Sequence, residues 1–451
     1  MNREENTDKR NIMGYESIGK LIIKISLPIM ISMLVQAMYN IVDSIFVSWV
    51  SEEALAAVTL AYPLQNLIIA FGIGTAVGVN SLLARKLGEG KEEEASSAAR
   101  HGLLLAFVTY VVFALFGLFL SRPFLSAFTD SASLLDMADS YAKICLICSF
   151  GIFFEITCER IMQATGDSVH PMITQTVGAV FNIIFDPVFI FVFDMGVAGA
   201  AIATVMGQIL AGALALFFAY RNRFINLRMK GFKARKATVK DIYAVGFPTI
   251  ITNSIGTLMV SALNGILIAY SMTAVSVFGI YFKLQSFVFM PVFGLSAGLI
   301  PIIAYNYGAR NRHRITEAVR KGCIIAFAIM AVGFLIFQLA PQLLLKMFNS
   351  TAEMDRIGMI SFRIISWSFL FAAFSIAIGS SFQATGYGIF TMITSIGRQL
   401  VILVPCAYIL SALMGLDGVW YAFILSDIIG LALTVILYRI VYKKKIKTLE
   451  E

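Results

Sequence analysis

Asp43, Asp186 and Thr204 are oxygen-bearing side chains set inside long apolar runs, at 20–50, 168–193 and 197–220. At 1.5 Å of helical rise per residue, Asp43 and Asp186 lie about seven residues before the ends of their runs and Thr204 about seven after the start of its own, and these ends face the same side. All three therefore sit at one level, about 10 Å from one surface. Asn182 is one turn from Asp186 on the same helix face. Pro187 follows Asp186, and a proline in a helix frees a backbone carbonyl, here that of Ile183. Two carboxylates, an amide oxygen, a hydroxyl and a carbonyl suit a hard cation such as Na⁺. Two carboxylates close together in a low dielectric suit a proton equally well. The plainer alternative is that Asp43 and Asp186 pair with polar neighbours and only hold helices together. A charge inside a bilayer is costly and by default marks function.

Other charges in apolar runs carry less definite chemistry. Glu155 either pairs locally with Arg160 or attracts cations. Lys283 stands beside Gln285 without a deducible partner. Arg398 and Asp427 could pair, although counting residues sets them several positions apart in depth. Cys145 and Cys148 form a C-x-x-C inside the apolar stretch Ile144 to Phe150, which reads as two small buried hydrophobes. With three histidines and no His/Cys ligand spacing, no metal or redox cofactor is expected. No H-E-x-x-H, G-x-S-x-G with a partner histidine or phosphate-cradling loop points to an enzyme.

The elements that position these groups are membrane helices. The 451 residues are 59% hydrophobic and 14% charged, with mean hydropathy +0.82, whereas soluble domains carry about 25% charge. This excludes an ordinary soluble enzyme and a disordered chain. Apolar runs fall at 20–50, 55–86, 97–121, 134–160, 168–193, 197–220, 241–270, 274–307, 317–340, 354–379, 389–413 and 418–441, which predicts twelve spans. The polar N-terminus is not a cleavable signal peptide. The net charge of +8 reflects topology rather than nucleic-acid binding. Arg3, Lys9, Arg10, Lys20 and Lys24, the loop from Arg221 to Lys240 and the C-terminal lysines fall on one face. That bias predicts both termini in the cytoplasm of a multi-pass plasma-membrane protein, the cell inner membrane in a two-membrane cell. The basic 221–240 loop is a topology signal that could also touch anionic lipid.

The chain repeats itself. A shift of 220 residues lays Pro28 on Pro248, Gln65 on Gln285, Gly74 on Gly294, Gly78 on Gly298 and Arg100 on Arg320. It also lays Gln163-Ala164-Thr165-Gly166 on Gln383-Ala384-Thr385-Gly386. Two six-helix halves entering from one side make a parallel repeat about an axis along the membrane normal, an architecture typical of secondary transporters. The expected fold is all-α and polytopic, with twelve helices in two six-helix bundles. The domains are expected at 1–220 and 241–451, with 221–240 as linker. The shift sets Asp43 on Leu263, Asn182 on Ile402 and Asp186 on Cys406, so only the first half retains the oxygen set.

Ser26-Leu27-Pro28, Asp43, the two Gln-Ala-Thr-Gly stretches, and Asn182-x-x-x-Asp186-Pro187 followed by Gly196-x-x-Gly199-Ala200-Ala201 resemble the multidrug and toxic compound extrusion (MATE) family over nearly the whole chain. The resemblance implies export of organic, mostly cationic amphipathic compounds by alternating access, in exchange for H⁺ or Na⁺. It implies that Asp43, Asn182, Asp186 and Thr204 carry the coupling ion, and ligate it as a metal site if the ion is Na⁺. Tyr141 and Glu155 resemble further family positions in the fourth span. The substrate cavity is expected to include Gln36, Tyr39, Asn40, Gln65, Tyr141, Glu155, Lys283 and Gln285. One branch of the family carries extra acids in the seventh and tenth spans; here those spans have no inward acid, so a second cation site is not expected. A monomer in contact with membrane lipid is expected. The alternative is a flippase for a lipid-linked precursor, which shares the superfamily fold but calls for a cationic cavity.

Overall fold

The computed structural model describes residues 11–348 and 350–449. Arg3, Lys9 and Arg10, counted above for topology, lie outside them. The described residues are helical without a strand. After a short turn at Ile12–Tyr15, the long helices are α1 (Ile18–Val50), α2 (Glu52–Gly88), α3 (Glu92–Phe119), α4 (Ala132–Ile147), α5 (Phe150–Ala164), α6 (Val169–Pro187) and α7 (Gly196–Tyr220). They continue with α8 (Lys236–Leu267), α9 (Met272–Gly308), α10 (Arg312–Leu339), α11 (Ala352–Ile365), α12 (Trp367–Ala384), α13 (Gly388–Ile396), α14 (Leu403–Met414) and α15 (Leu416–Val441). Among the described residues eleven stretches are long and apolar enough to cross a membrane, and α4 with α5, bent by 46°, supplies a twelfth if the pair is one span. Helices dominate because hydrocarbon offers the backbone no hydrogen bonds of its own.

The repeat is visible in local geometry. Ser51 caps α2 by accepting from the Ala54 amide at 2.9 Å, and Ser271, 220 residues on, caps α9 by accepting from Ala274 at 3.0 Å. The two Gln-Ala-Thr-Gly stretches stop α5 and α12 in the same way. Gly166 and Gly386 take φ of 90° and 89°, a left-handed conformation that favours glycine. The following amides then reach back, Asp167 to the Met162 carbonyl at 3.1 Å and Tyr387 to that of Phe382 at 2.7 Å.

The chain packs as two compact units that cut across the repeat. One holds Ile31–Ile250, and the other holds Ile12–Met30 with the chain from Ile251 onward. Helices α1 and α8 each divide between the units, two residues after Pro28 and Pro248. In the first unit the opening turns of α8 seat on the bare backbone of α2. A Cβ on Gly78 would lie 2.2 Å from the Ile242 carbonyl oxygen, and one on Gly74 would lie 2.8 Å from that of Gly246. In the second unit the opening turns of α1 seat likewise on α9. A Cβ on Gly294 would meet the Met30 Cα at 2.9 Å, and one on Gly298 would meet the Ser26 Cα at 3.0 Å. Between membrane helices, where lipid is as apolar as leucine, such close backbone approach is a main source of cohesion.

Gly78→Ala is therefore expected to destabilise the purified protein by about 3 kcal/mol, because a backbone carbonyl cannot swing aside as a side chain can. Gly265→Ala, whose Cβ would enter open space, is the control and should melt at or slightly above the wild-type temperature. Equal thermal transitions for the two variants would contradict this packing.

Candidate functional site

The four oxygen-bearing residues meet inside the first unit because α6 and α7 approach along small residues. A Cβ on Gly178 would lie 2.9 Å from the Ala211 Cβ and 3.0 Å from the Gly207 carbonyl. One turn along α6 from Gly178 stands Asn182, and just under one turn before Gly207 on α7 stands Thr204. Asn182 Nδ2 donates to Thr204 Oγ1 at 3.2 Å. After Asp186 and Pro187 the helix widens into a π-turn at Val188–Val192. Gly199 accepts the backbone of that turn, since its Cβ would lie 2.7 Å from Phe189 O. The Gly196-x-x-Gly199-Ala200-Ala201 stretch thus clamps the end of α6 and fixes the height of Asp186.

Helix α1 brings Gln36, Tyr39, Asn40 and Asp43 along one face at the spacing of i, i+3, i+4 and i+7. The carboxyl groups of Asp43 and Asp186 come within hydrogen-bonding reach of one another. Asp43 is 9% exposed, Asn182 2% and Asp186 0%. Four of their oxygens, Asp43 Oδ1, Asn182 Oδ1 and both Oδ of Asp186, are buried without a hydrogen-bond donor among the described residues. A buried carboxylate lacking both donor and counter-charge is costly. Two side by side are tenable when a proton or a cation lies with them. The donor set is all oxygen, which fits H⁺ or a hard monovalent ion. Among the described residues no three His, Cys, Asp or Glu side chains cluster as a multidentate metal site would.

The remaining predicted residues separate into smaller groups. Gln65 Nε2 donates to the Tyr141 hydroxyl at 2.9 Å and approaches Cys145 Sγ at 3.7 Å, and Tyr141 is fully buried. Gln36 Oε1 accepts from Gln175 Nε2 at 3.5 Å. Tyr39 stands in the neighbourhood of both Glu155 and Asp43, while Asn40 is exposed. Lys283 and Gln285 belong to the second unit. Lys283 is exposed and, among the described residues, makes no ion pair. Cys145 and Cys148 are free thiols.

Glu155, 8% exposed, forms no ion pair with Arg160, whose guanidinium donates instead to Gln163 Oε1 at 2.9 Å. Its neighbour is Glu159, one turn on, which accepts from Thr174 Oγ1 at 3.3 Å. Sequence reasoning passed over Glu159. The i, i+4 spacing of the two acids was the available signal, and the adjacent Arg160 masked it. Arg398 and Asp427 do pair, Nη1 to Oδ1 at 2.9 Å, with Asp427 3% exposed. A π-turn at Gly397–Ile402 carries Arg398, and its wider winding displaces the depth that counting at the α-helical rise assigns.

Comparison with known proteins identifies the family. The chain is 25% identical over 413 residues to the multidrug export protein MepA of Staphylococcus haemolyticus, covering 91% of each chain. It is 24% identical over 424 residues to MepA of Staphylococcus aureus, covering 93% of this chain and 94% of that one. Among solved structures it superposes with a TM-score of 0.92 and 27% identity on an outward-facing multidrug resistance MATE family transporter of the MOP superfamily, over 98% of this chain and 99% of that one. A MOP superfamily transporter from Pyrococcus furiosus matches with a TM-score of 0.90 and 27% identity over the same shares. The MatE family model matches residues 28–188 and 248–409, one stretch in each repeat. The chain is thus a multi-pass membrane transporter that belongs to the MATE family.

Proposed function

We propose that this protein is a secondary active multidrug efflux antiporter that exchanges amphipathic organic cations for H⁺ or Na⁺ by alternating access. The observation that carries the reading is the pair Asp43 and Asp186, two buried carboxyl groups within reach of one another, three of whose oxygens lack a donor, as does the neighbouring Asn182 Oδ1. A cation or proton bound there neutralises the first unit and changes what α1 packs against. A drug that prefers the uncharged or the charged state then shifts the population between conformations. Kinship with multidrug export proteins supports the substrate class.

The flippase alternative calls for a cationic interior for a pyrophosphate. Of the two cations inferred inside the spans, Arg398 is engaged by Asp427 and Lys283 remains, which favours the antiporter.

The test is ethidium efflux from proteoliposomes of the purified chain under an imposed Na⁺ gradient and, separately, an imposed pH gradient. The antiporter reading expects drive by one of the two. Drive by neither, across several cationic dyes, would overturn it and favour a lipid-linked substrate.

A further inference from the structure

The basic segment between the repeats is folded onto the first unit. Its amides at Asn226 and Arg235 donate to Ser96 Oγ at 2.9 Å and to His101 Nε2 at 2.8 Å, both on α3. Asn222 Nδ2 donates to Thr165 Oγ1 at 2.8 Å, and the Phe232 ring stands edge-on to His101 at 4.8 Å. Ile225 and Leu227 are buried, while Arg221, Arg228 and Lys230 face outward. A topology signal alone would need none of this anchoring.

Under that segment lies an apolar groove of about 690 Å³ between α3, α5 and α7. Leu104, Phe107, Phe154, Ala213, Leu216 and Met229 are among its walls. These helices are membrane spans and Phe107 is 51% exposed, so the groove opens toward lipid. The volume falls within the roughly 300–1,000 Å³ that ligand pockets occupy. Three lining residues are each followed in sequence by an exposed cation: Tyr220 by Arg221, Leu227 by Arg228, Met229 by Lys230. The Arg221 guanidinium lies 4.4 Å above the Phe217 ring, which also lines the groove. Among the described residues no ion pair engages Arg221, Arg228 or Lys230. The neighbouring acid Glu93 is held by Arg100.

We propose that this groove is a binding site for one anionic phospholipid, with an acyl chain along Phe107, Phe154 and Leu216 and the headgroup phosphate against Arg221, Arg228 and Lys230. The occupant follows from charge complementarity. An apolar slot with three cations next in sequence to its lining residues, none in an ion pair among the described residues, matches a lipid tail with a negative head and repels a cationic amphipath. Choline lipids carry a positive group that the same rim disfavours. The site does not depend on which ion drives transport.

The experiment is native mass spectrometry of the purified full chain released from vesicles of equal phosphatidylcholine and phosphatidylglycerol. Wild type is expected to retain phosphatidylglycerol preferentially. Removal of each cation in the series R221Q, R228Q and K230Q should reduce that retention about fivefold, the equivalent of one basic group near an anionic surface. Ala213→Phe fills the groove from an exposed position, keeps every charge and should lose the retained lipid. Equal retention of both lipids by wild type would overturn the proposal. So would undiminished phosphatidylglycerol on Ala213→Phe, which would mean that headgroups bind a bare basic surface. Because a variant can fail to fold, wild type is also titrated with NaCl. Preference for phosphatidylglycerol should fall as salt screens the exposed rim, and a salt-independent preference would equally overturn it.

Discussion

Asp43→Asn is expected to reduce gradient-driven ethidium efflux to the level of protein-free vesicles, whichever ion proves to be the driver. The substitution preserves shape and removes the charge, so neither a proton nor Na⁺ can be held between positions 43 and 186 as before. It should not impair folding. The carboxyl it replaces is buried beside another carboxyl with no donor on its Oδ1, and an amide in that place relieves like-charge repulsion. The thermal transition should therefore stay at or above that of wild type while transport disappears. That separation is what distinguishes a coupling residue from a brace. If Asp43 merely holds helices together, Asp43→Asn should lower the transition and leave the driven flux of the surviving protein intact. Full Na⁺- or pH-driven efflux by the variant would remove Asp43 from the mechanism.

The second large effect concerns the second unit. Arg398→Ala is expected to destabilise the protein by about 3–5 kcal/mol, because it leaves Asp427 buried without its counter-charge. The guanidinium lies 2.9 Å from Asp427 Oδ1, and its aliphatic stem packs so closely on α15 that a Cβ at Gly430 would meet Arg398 Cγ at 3.0 Å. The double variant Arg398→Met with Asp427→Leu removes both charges at similar volume and should recover most of the loss, since a buried pair adds little net stability over well-packed apolar side chains. Thermal melts of Arg398→Met, Asp427→Leu and the double close the cycle. A double variant no better than Arg398→Ala would show that the two side chains act independently, against the contact seen here.

Much of this was legible in the sequence for a physical reason. Hydrocarbon forces spanning segments to be long and apolar, so their number could be read from hydropathy alone. Asp43, Asp186 and Thr204 could be set at one depth, with Asn182 one turn from Asp186, because helical rise is nearly constant. The same reasoning misplaced Arg398 against Asp427, where the π-turn at Gly397–Ile402 breaks that constancy. The bend between α4 and α5 was read as a single straight span from 134 to 160, since neither a proline nor a charge marks the turn at Cys148-Ser149. Glu159 was missed because adjacency in sequence suggested an Arg160 partner for Glu155, whereas the helix turns Arg160 to Gln163. The reciprocal seating of α1 and α8 was harder still. Periodicity reports which face of a helix is apolar and not which neighbour covers it. The trace it did leave is the glycine pairs Gly74/Gly78 and Gly294/Gly298, matched by the 220-residue shift.

That reciprocal seating dictates the order in which the protein can be completed at the ribosome. The slot at Gly74 and Gly78 stays unfilled until Ile242–Ile250 has been made, well after the last residue of the first repeat. The opening turns of α1 wait longer, because Gly294 and Gly298 are synthesised roughly 260 residues after Met30. At about 5–20 residues per second that interval lasts about fifteen to fifty seconds. For that time the first helix of the chain sits in the bilayer without its permanent partner. Duplication gave this protein two similar halves, yet a gene divided at the repeat boundary would encode two bodies, each lacking a wall that the other half supplies.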